Sequence, residues 1–262
     1  MAEDLILVQK EGNICTLIIN RPEKRNSLNP EVLLQLGDTL NTLKEDGETR
    51  VVVIRGTGEQ AFSSGFDIGR ISSGEPEPAG PRRNPLAYGM SSVQDFPYPV
   101  IAMIYGYAVG AGLELAVTCD LRLAADTARL GITPAKLGVV YHNAGINKFL
   151  HVVGISQTKE LFYTGRIIDA QRARDIGLVD YVYPAQELAK ATYELAQEVA
   201  NNAPLSVSGV KTIISKLLEY PVLSPEDEAE LDRLRAEAYR SEDLKEGQRA
   251  FMEKRKPRFT GH

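Results

Sequence analysis

The chain has 262 residues, 43% hydrophobic and 25% charged, with a formal net charge of -5. That length supplies one large core, or one core with a small appendage. The acidic balance weighs against nucleic acid or an anionic membrane surface as the main partner, without excluding a local basic site for a phosphorylated ligand. No run reaches the roughly 18 apolar residues of a membrane span. The start, Met1-Ala2-Glu3-Asp4, lacks the basic-then-apolar pattern of a leader, so a cytoplasmic location is the expectation. Cys15 and Cys119 both lie in apolar runs with no CxxC partner and no metal-ligand spacing, which predicts two reduced, buried thiols and no metal site.

Taken in chain order, Leu5 to Val8 and Ile14 to Asn20 read as strands joined by Glu11-Gly12-Asn13, a hairpin signal. A polar loop, residues 21–27, leads to Asn29-Pro30, where Asn caps a helix and Pro occupies its first turn. Leu33, Leu36, Leu40 and Leu43 give that helix an apolar stripe. Val51 to Ile54 is an uninterrupted β-branched run of the kind that suits a sheet covered on both faces. Residues 72–85 are rich in Gly, Pro, Ser and Arg without periodicity and read as a mobile loop.

Val100 to Tyr105 is a further strand, and the glycine-bearing stretch from Gly106 predicts a helix running to about Cys119. Leu121 to Ala124 is strand-like. Ser156 is placed as the cap of a helix ending near Gly165, and Asp169 as the cap of another ending near Gly177. After a strand over Leu178 to Tyr183, helices are predicted over Ala185 to Asn201, Leu205 to Glu219, Glu226 to Tyr239 and from Ser241 onward. The last has Glu242 and Asp243 in its first turn and Lys254-Arg255-Lys256 at its end, matching the helix dipole. This order predicts an α/β core over residues 1–195 and a helical C-terminal region over 196–262 that packs on another surface.

Two turns carry the chemistry: Ala61-Phe62-Ser63-Ser64-Gly65-Phe66-Asp67-Ile68 and Gly106-Tyr107-Ala108-Val109-Gly110-Ala111-Gly112-Leu113-Glu114. Glycine lets a backbone approach a ligand closely, and a turn opening a helix presents free N–H groups backed by the positive dipole end. Two such N–H groups meeting at one oxygen make an oxyanion hole. The second turn lacks both the G-x-G-x-x-G spacing of a dinucleotide site and the lysine of a P-loop. Glu114 falls in an apolar segment, where a carboxylate needs a reason to be.

With Asn20-Arg21-Pro22, Asn26-Ser27-Leu28, Leu161–Gly165, Ala173, Gly177-Leu178-Val179 and the run Ala250 to Pro257, these turns resemble the crotonase (enoyl-CoA hydratase/isomerase) superfamily over nearly the whole chain. The resemblance implies a crotonase-type spiral of ββα units with a C-terminal α-helical trimerisation region, giving a homotrimer or dimer of trimers. It implies that the backbone N–H groups of Phe66 and Ala111 hold the thioester oxygen of an acyl-CoA. It implies CoA contacts from Arg25, Ser64 and Ile68, with Phe251 and Lys254 toward the nucleotide end, and no cofactor beyond the CoA moiety of the substrate.

Hydratases of the superfamily use two glutamates. The first matches Glu114; the second falls at Pro134, and no Asp or Glu occurs between Thr127 and Lys159. Thr133-Pro134, Leu137 to Asn143 and Gly145-Ile146, with Asp95 to Pro99, Lys159-Glu160-Leu161 and the closing Phe259-Thr260-Gly261-His262, instead resemble the methylmalonyl-CoA decarboxylase branch. In that branch Glu114 and Tyr141 are implied site residues, and His can stand where this chain has Phe66; a backbone N–H is unaffected by that change. Tyr141 would hold a substrate carboxylate, and Glu114 or a water that it orients would manage the proton that quenches the enolate. His142 is the one histidine near these residues, with a bonded or exposed role favoured over proton donation; Lys136 is placed in solvent. The expected activity is decarboxylation of a malonyl-type CoA thioester. A single-glutamate isomerase or hydratase, and an acyl-CoA-binding protein without catalysis, are the alternatives.

Overall fold

The computed structural model describes residues 4–67, 84–137, 140–219, 226, 229–230, 233, 237, 240–253, 255 and 257–262. Its strands form two sheets. Strands β1 (Ile6–Glu11) and β2 (Ile14–Ile19) pair antiparallel, Ile6 opposite Ile19. Beyond β2 the larger sheet continues parallel through β3 (Val51–Gly56), β5 (Val100–Ile104), β7 (Leu121–Ala125) and β10 (Tyr181–Tyr183). The smaller sheet is β4 (Ala61–Ser63), β6 (Tyr107–Val109), β8 (Arg129–Gly131) and β9 (Ile168–Asp169), the last antiparallel to β8.

The connectivity is a repeating spiral. A strand in the large sheet turns a corner into a strand of the small sheet, and a helix follows. This happens as β3-β4 with helix α2 (Pro85–Gln94), β5-β6 with α3 (Ala111–Thr118), and β7-β8 with α4 (Asn143–Thr164). The corner at Gly106 leaves no alternative residue: φ is +56°, and a Cβ there would lie 2.0 Å from the Gln60 carbonyl oxygen.

Burial follows the two-residue strand period. Val52, Ile54, Val100, Ala102 and Ile104 face a core shared with Leu33, Leu36 and Leu40 of helix α1 (Pro30–Glu45). Val51, Val53, Ile101 and Met103 face the opposite side, against Leu188, Ala196 and Ala200 of α6 (Ala185–Ala200). Both faces are thus covered, as the apolar β3 run predicts. Asn29 caps α1 by accepting from Val32 N–H, with Pro30 at the first position.

Several boundaries differ from those read in the sequence. The stretch from Gly106 first makes β6, and α3 opens only at Ala111. Helix α2 and the short strands of the small sheet carry too few residues for a periodic signal. Helix α4 begins at Asn143, with His142 as its cap; Gly154, at φ +73°, interrupts it just before Ser156. Asp169 caps α5 (Ala170–Asp175) as expected. The expected division after residue 195 falls within α6, which packs on the large sheet. Beyond it lie α7 (Pro204–Glu219) and α8 (Glu242–Met252). Most of the loop and of the helix expected over 72–85 and 226–239 lies outside the described residues.

Candidate active site

The first turn follows β4. Gly65 takes φ +100°, its N–H bonding Ser63 Oγ at 3.2 Å. Leu28 N–H donates to the Gly65 carbonyl at 2.8 Å, and Asp67 N–H to the Leu28 carbonyl at 2.9 Å. Because successive groups of an extended chain point to opposite sides, this pairing turns the N–H of Phe66 itself away from Leu28. The half-buried Phe66 ring packs on the core.

The same turn holds the loop in which the family resemblance implies a CoA contact. Ser64 N–H donates to the Arg25 carbonyl at 3.0 Å, and Ser64 Oγ to the Lys24 carbonyl at 3.2 Å, so Arg25 and Ser64 sit side by side and exposed. Asn26 is the peg of this loop: it is buried, and its Nδ2 donates to the carbonyls of Ala61 at 2.7 Å and Thr57 at 3.1 Å.

The second turn lies against the first. Gly110 N–H donates to the Gly131 carbonyl, and Glu114 N–H makes the first bond of α3, to the Gly110 carbonyl, each at 2.9 Å. The N–H of Ala111 is therefore among those at the helix start that have no acceptor within the helix. A Cβ on Gly65 would lie 2.7 Å from the Val109 carbonyl oxygen and 3.6 Å from Ala111 N. The two glycine-bearing turns are in contact, with the N-terminus of α3 directed at their junction.

One helical turn further along α3, Glu114 is 1% exposed. Two donors converge on its Oε2: the Tyr141 hydroxyl at 2.5 Å and His142 Nε2 at 3.2 Å. Burial alone would raise the carboxyl, but the bonds from His142 and Tyr141, with the fields of His142 and Lys148, outweigh it and hold Glu114 below the usual glutamate value. Tyr141 moves the other way, raised by burial, by the Glu114 charge and by the bond to it. A tyrosine has one proton to donate. Here that proton is directed to Glu114 and not to a substrate carboxylate, the role expected for it.

Two further residues stand around Glu114, His142 as the sequence placed it and Lys148 as a new member. His142 belongs to the cluster, its ring stacked on Tyr141 with centroids 4.9 Å apart. Lys148, from α4, donates to Thr118 Oγ1 at 2.8 Å, and Thr118 Oγ1 donates to the Glu114 carbonyl at 2.8 Å. Burial lowers the Lys148 amine despite the fields of Glu114, Cys119 and Asp95. A lysine in the middle of a helix carries no sequence signal of such placement; only the crossing of α3 and α4 reveals it. Lys148 also lines a groove of about 980 Å³ between α4 and α7.

Lys136 is exposed, as expected. Ile68 and Lys254 lie outside the described residues, as does the side chain of Phe251, whose backbone belongs to α8. Among the described residues no three His, Cys, Asp or Glu side chains stand together as a metal site. Nor is any described helix long and apolar enough to cross a membrane.

The family described as enoyl-CoA hydratase/isomerase matches residues 9–262. Methylmalonyl-CoA decarboxylase of Escherichia coli is 32% identical over the full length of both chains. Short-chain-enoyl-CoA hydratase of Clostridium acetobutylicum is also 32% identical, over 96% of this chain and 95% of its own. A crystal structure of an enoyl-CoA hydratase/carnithine racemase from Magnetospirillum magneticum superposes with a TM-score of 0.91 at 32% identity, over 100% of this chain and 97% of that one.

Proposed function

Given that the chain belongs to the enoyl-CoA hydratase/isomerase (crotonase) family of acyl-CoA enzymes, we propose that it decarboxylates a malonyl-type CoA thioester with a methylmalonyl-like acyl group. The observation that carries this reading is the single carboxylate. Pro134 stands where hydratases place a second glutamate, and Glu114, the one acid in the cluster among the described residues, has Oε2 tied to Tyr141 and His142. Hydration across a double bond needs two groups to handle water and proton. Decarboxylation needs no base to begin.

In the proposed reaction the N–H groups of Phe66 and Ala111 hold the thioester oxygen. The bond from the α-carbon to the carboxylate breaks, CO2 leaves, and the electron pair passes into the enolate, whose oxygen charge those two donors stabilise. The substrate carboxylate brings a negative charge toward Glu114, which raises the tendency of Glu114 to take a proton. Once protonated, Glu114 no longer needs the Tyr141 donor. The hydroxyl turns to the substrate carboxylate, aligning the breaking bond, and Glu114 then returns its proton to the α-carbon. One proton is taken up per CO2 released, and no group beyond the CoA of the substrate takes part. Arg25 and Ser64, with Ile68, Phe251 and Lys254, hold the CoA. The subunits assemble as a trimer or dimer of trimers, consistent with the exposed Val210, Ile214, Leu217 and Leu218 of α7.

A second reading is favoured by one observation: Glu114 is held ionised, the state a proton-abstracting isomerase requires. The deciding experiment offers purified protein methylmalonyl-CoA, a 3-enoyl-CoA and crotonyl-CoA. Propionyl-CoA and CO2 from the first support decarboxylation; product only from the second or third replaces it with isomerisation or hydration. Saturable thioester binding with no product from any of the three would leave a binding protein.

A further inference from the structure

The buried carboxylate is held unevenly. Tyr141 and His142 both bond Oε2, and no described residue bonds Oε1. The two donors differ in kind. Tyr141 is largely enclosed, whereas the His142 side chain is 42% exposed beside a Glu114 side chain at 1%. His142 is also fixed from its other side: it is the cap of α4, and its Nδ1 accepts the N–H of Gly145 at 3.1 Å.

That second bond decides the tautomer. A ring nitrogen that accepts from a backbone N–H carries no proton, so the neutral ring bears its proton on Nε2 and donates it to Glu114. Adding a proton at Nδ1 would set two N–H groups against each other and uncap α4. The local sequence supports this pose. A Cβ on Gly145 would lie 2.6 Å from Tyr141 Cε1 and 2.9 Å from His142 Cε1, so the bare glycine is what lets both rings sit over the helix start.

We propose that His142 is a positioning residue for Glu114: held as an Nε2–H donor by the Gly145 amide, it anchors Oε2 and reserves Oε1 as the oxygen that carries and delivers the proton. The anchoring stands on the geometry alone; the delivery rests on the reaction proposed above. The other titratable groups acting on this carboxylate are Tyr141, on the segment before α4, and Lys148, from α4, itself under the fields of Asp95 and Cys119.

Two substitutions separate anchoring from helix capping. Asparagine is among the strongest N-caps, so His142→Asn keeps the bond to Gly145 while falling short of Oε2. His142→Gln restores an N–H at about the reach of Nε2. The first measurement uses ligand-free protein: the Glu114 side-chain carboxyl is titrated by 13C NMR, its signal assigned by loss in Glu114→Gln. In His142→Asn the midpoint should rise, with only the small fall in thermal midpoint at neutral pH that the weaker hold on ionised Glu114 itself entails, and His142→Gln should move both back. The second measurement is turnover: kcat should fall roughly ten-fold or more in His142→Asn with KM within about two-fold, as expected when a bond to a charged group is lost. An unmoved Glu114 midpoint in His142→Asn would overturn the inference, as would loss of thermal stability in place of that shift. Because the titration needs no substrate, it tests the anchoring even if the protein does not decarboxylate methylmalonyl-CoA.

Discussion

The phenolic oxygen of Tyr141 lies 2.5 Å from Oε2 of Glu114. A hydrogen bond to a charged group contributes about 1.5–3 kcal/mol. Tyr141→Phe removes it without changing the ring packing on Phe162 and His142. The variant should fold, lose about ten- to a hundred-fold in kcat/KM, and show the limb of the pH profile that Glu114 governs displaced upward, since one of the donors that lower Glu114 is gone. Steady-state rates across pH test this; a profile displaced downward would contradict it.

Glu114→Gln keeps shape and replaces the charge with an amide. Under the proposed decarboxylation the neutral amide stands in for the protonated carboxyl that frees Tyr141, and proton delivery follows CO2 release, so the variant should retain measurable loss of CO2 and be slowed chiefly in fixing the proton on the α-carbon. In deuterated water its propionyl-CoA should carry altered stereochemical labelling at that carbon, read by NMR. Complete loss of CO2 release in a folded variant would place the Glu114 charge in the bond-breaking step itself and overturn this order of events.

What the sequence made legible follows from the range over which each signal acts. The capping of α1 by Asn29-Pro30 and the doubly buried β3 run are local patterns, and both appear as read. The two glycine turns were legible as turns, and their contact was implied only by family resemblance. Strands of two or three residues such as β4, β8 and β9 exist because the corners bring them together, and no three-residue window carries that information. The cluster around Glu114 joins residues 27 to 34 positions apart. Tyr141 was found through resemblance and His142 was placed near the site with a bonded or exposed role, while Lys148 needed the crossing of α3 and α4.

Acid should destabilise the protein partly through Glu114. Its folded value lies below its ordinary value of 4.5, so the stability it contributes is fully present above that pH. It is lost as pH falls from there through the folded value. Thermal midpoints of wild type and Glu114→Gln measured across this range should converge toward low pH, the wild type falling more steeply. Parallel curves would show that Glu114 is not held below its ordinary value.

The two thiols should be silent in the native state. Burial pushes Cys15 up to about 11 and Cys119 up to about 12, and both side chains are enclosed. A thiol reagent at pH 8 needs thiolate and access, and finds neither. Titration with a chromogenic disulfide should count no reactive thiol in folded protein and two after denaturation. A fast-reacting thiol in the native state would mean that β2 or the end of α3 opens readily.

Gly65 is the point at which fold and chemistry depend on one missing atom. Its φ of +100° is unfavourable for any side chain, and a Cβ would press to 2.7 Å from the Val109 carbonyl oxygen. Gly65→Ala therefore combines backbone strain of about 1–3 kcal/mol with a clash of similar size. For a chain of this length each kcal/mol lowers the thermal midpoint by about 2–4 °C, so a drop of several degrees is expected. The clash can be relieved only by moving the Phe66 turn away from the start of α3. Turnover should therefore fall much further than the loss of folded protein accounts for, whichever acyl-CoA reaction the site performs. Serine hydroxyl loss in Ser63→Ala is the control: it removes the bond to the Gly65 N–H but adds no atom between the turns, and should leave most activity. Equal losses in both variants would show that the spacing of the two turns is not what the site depends on.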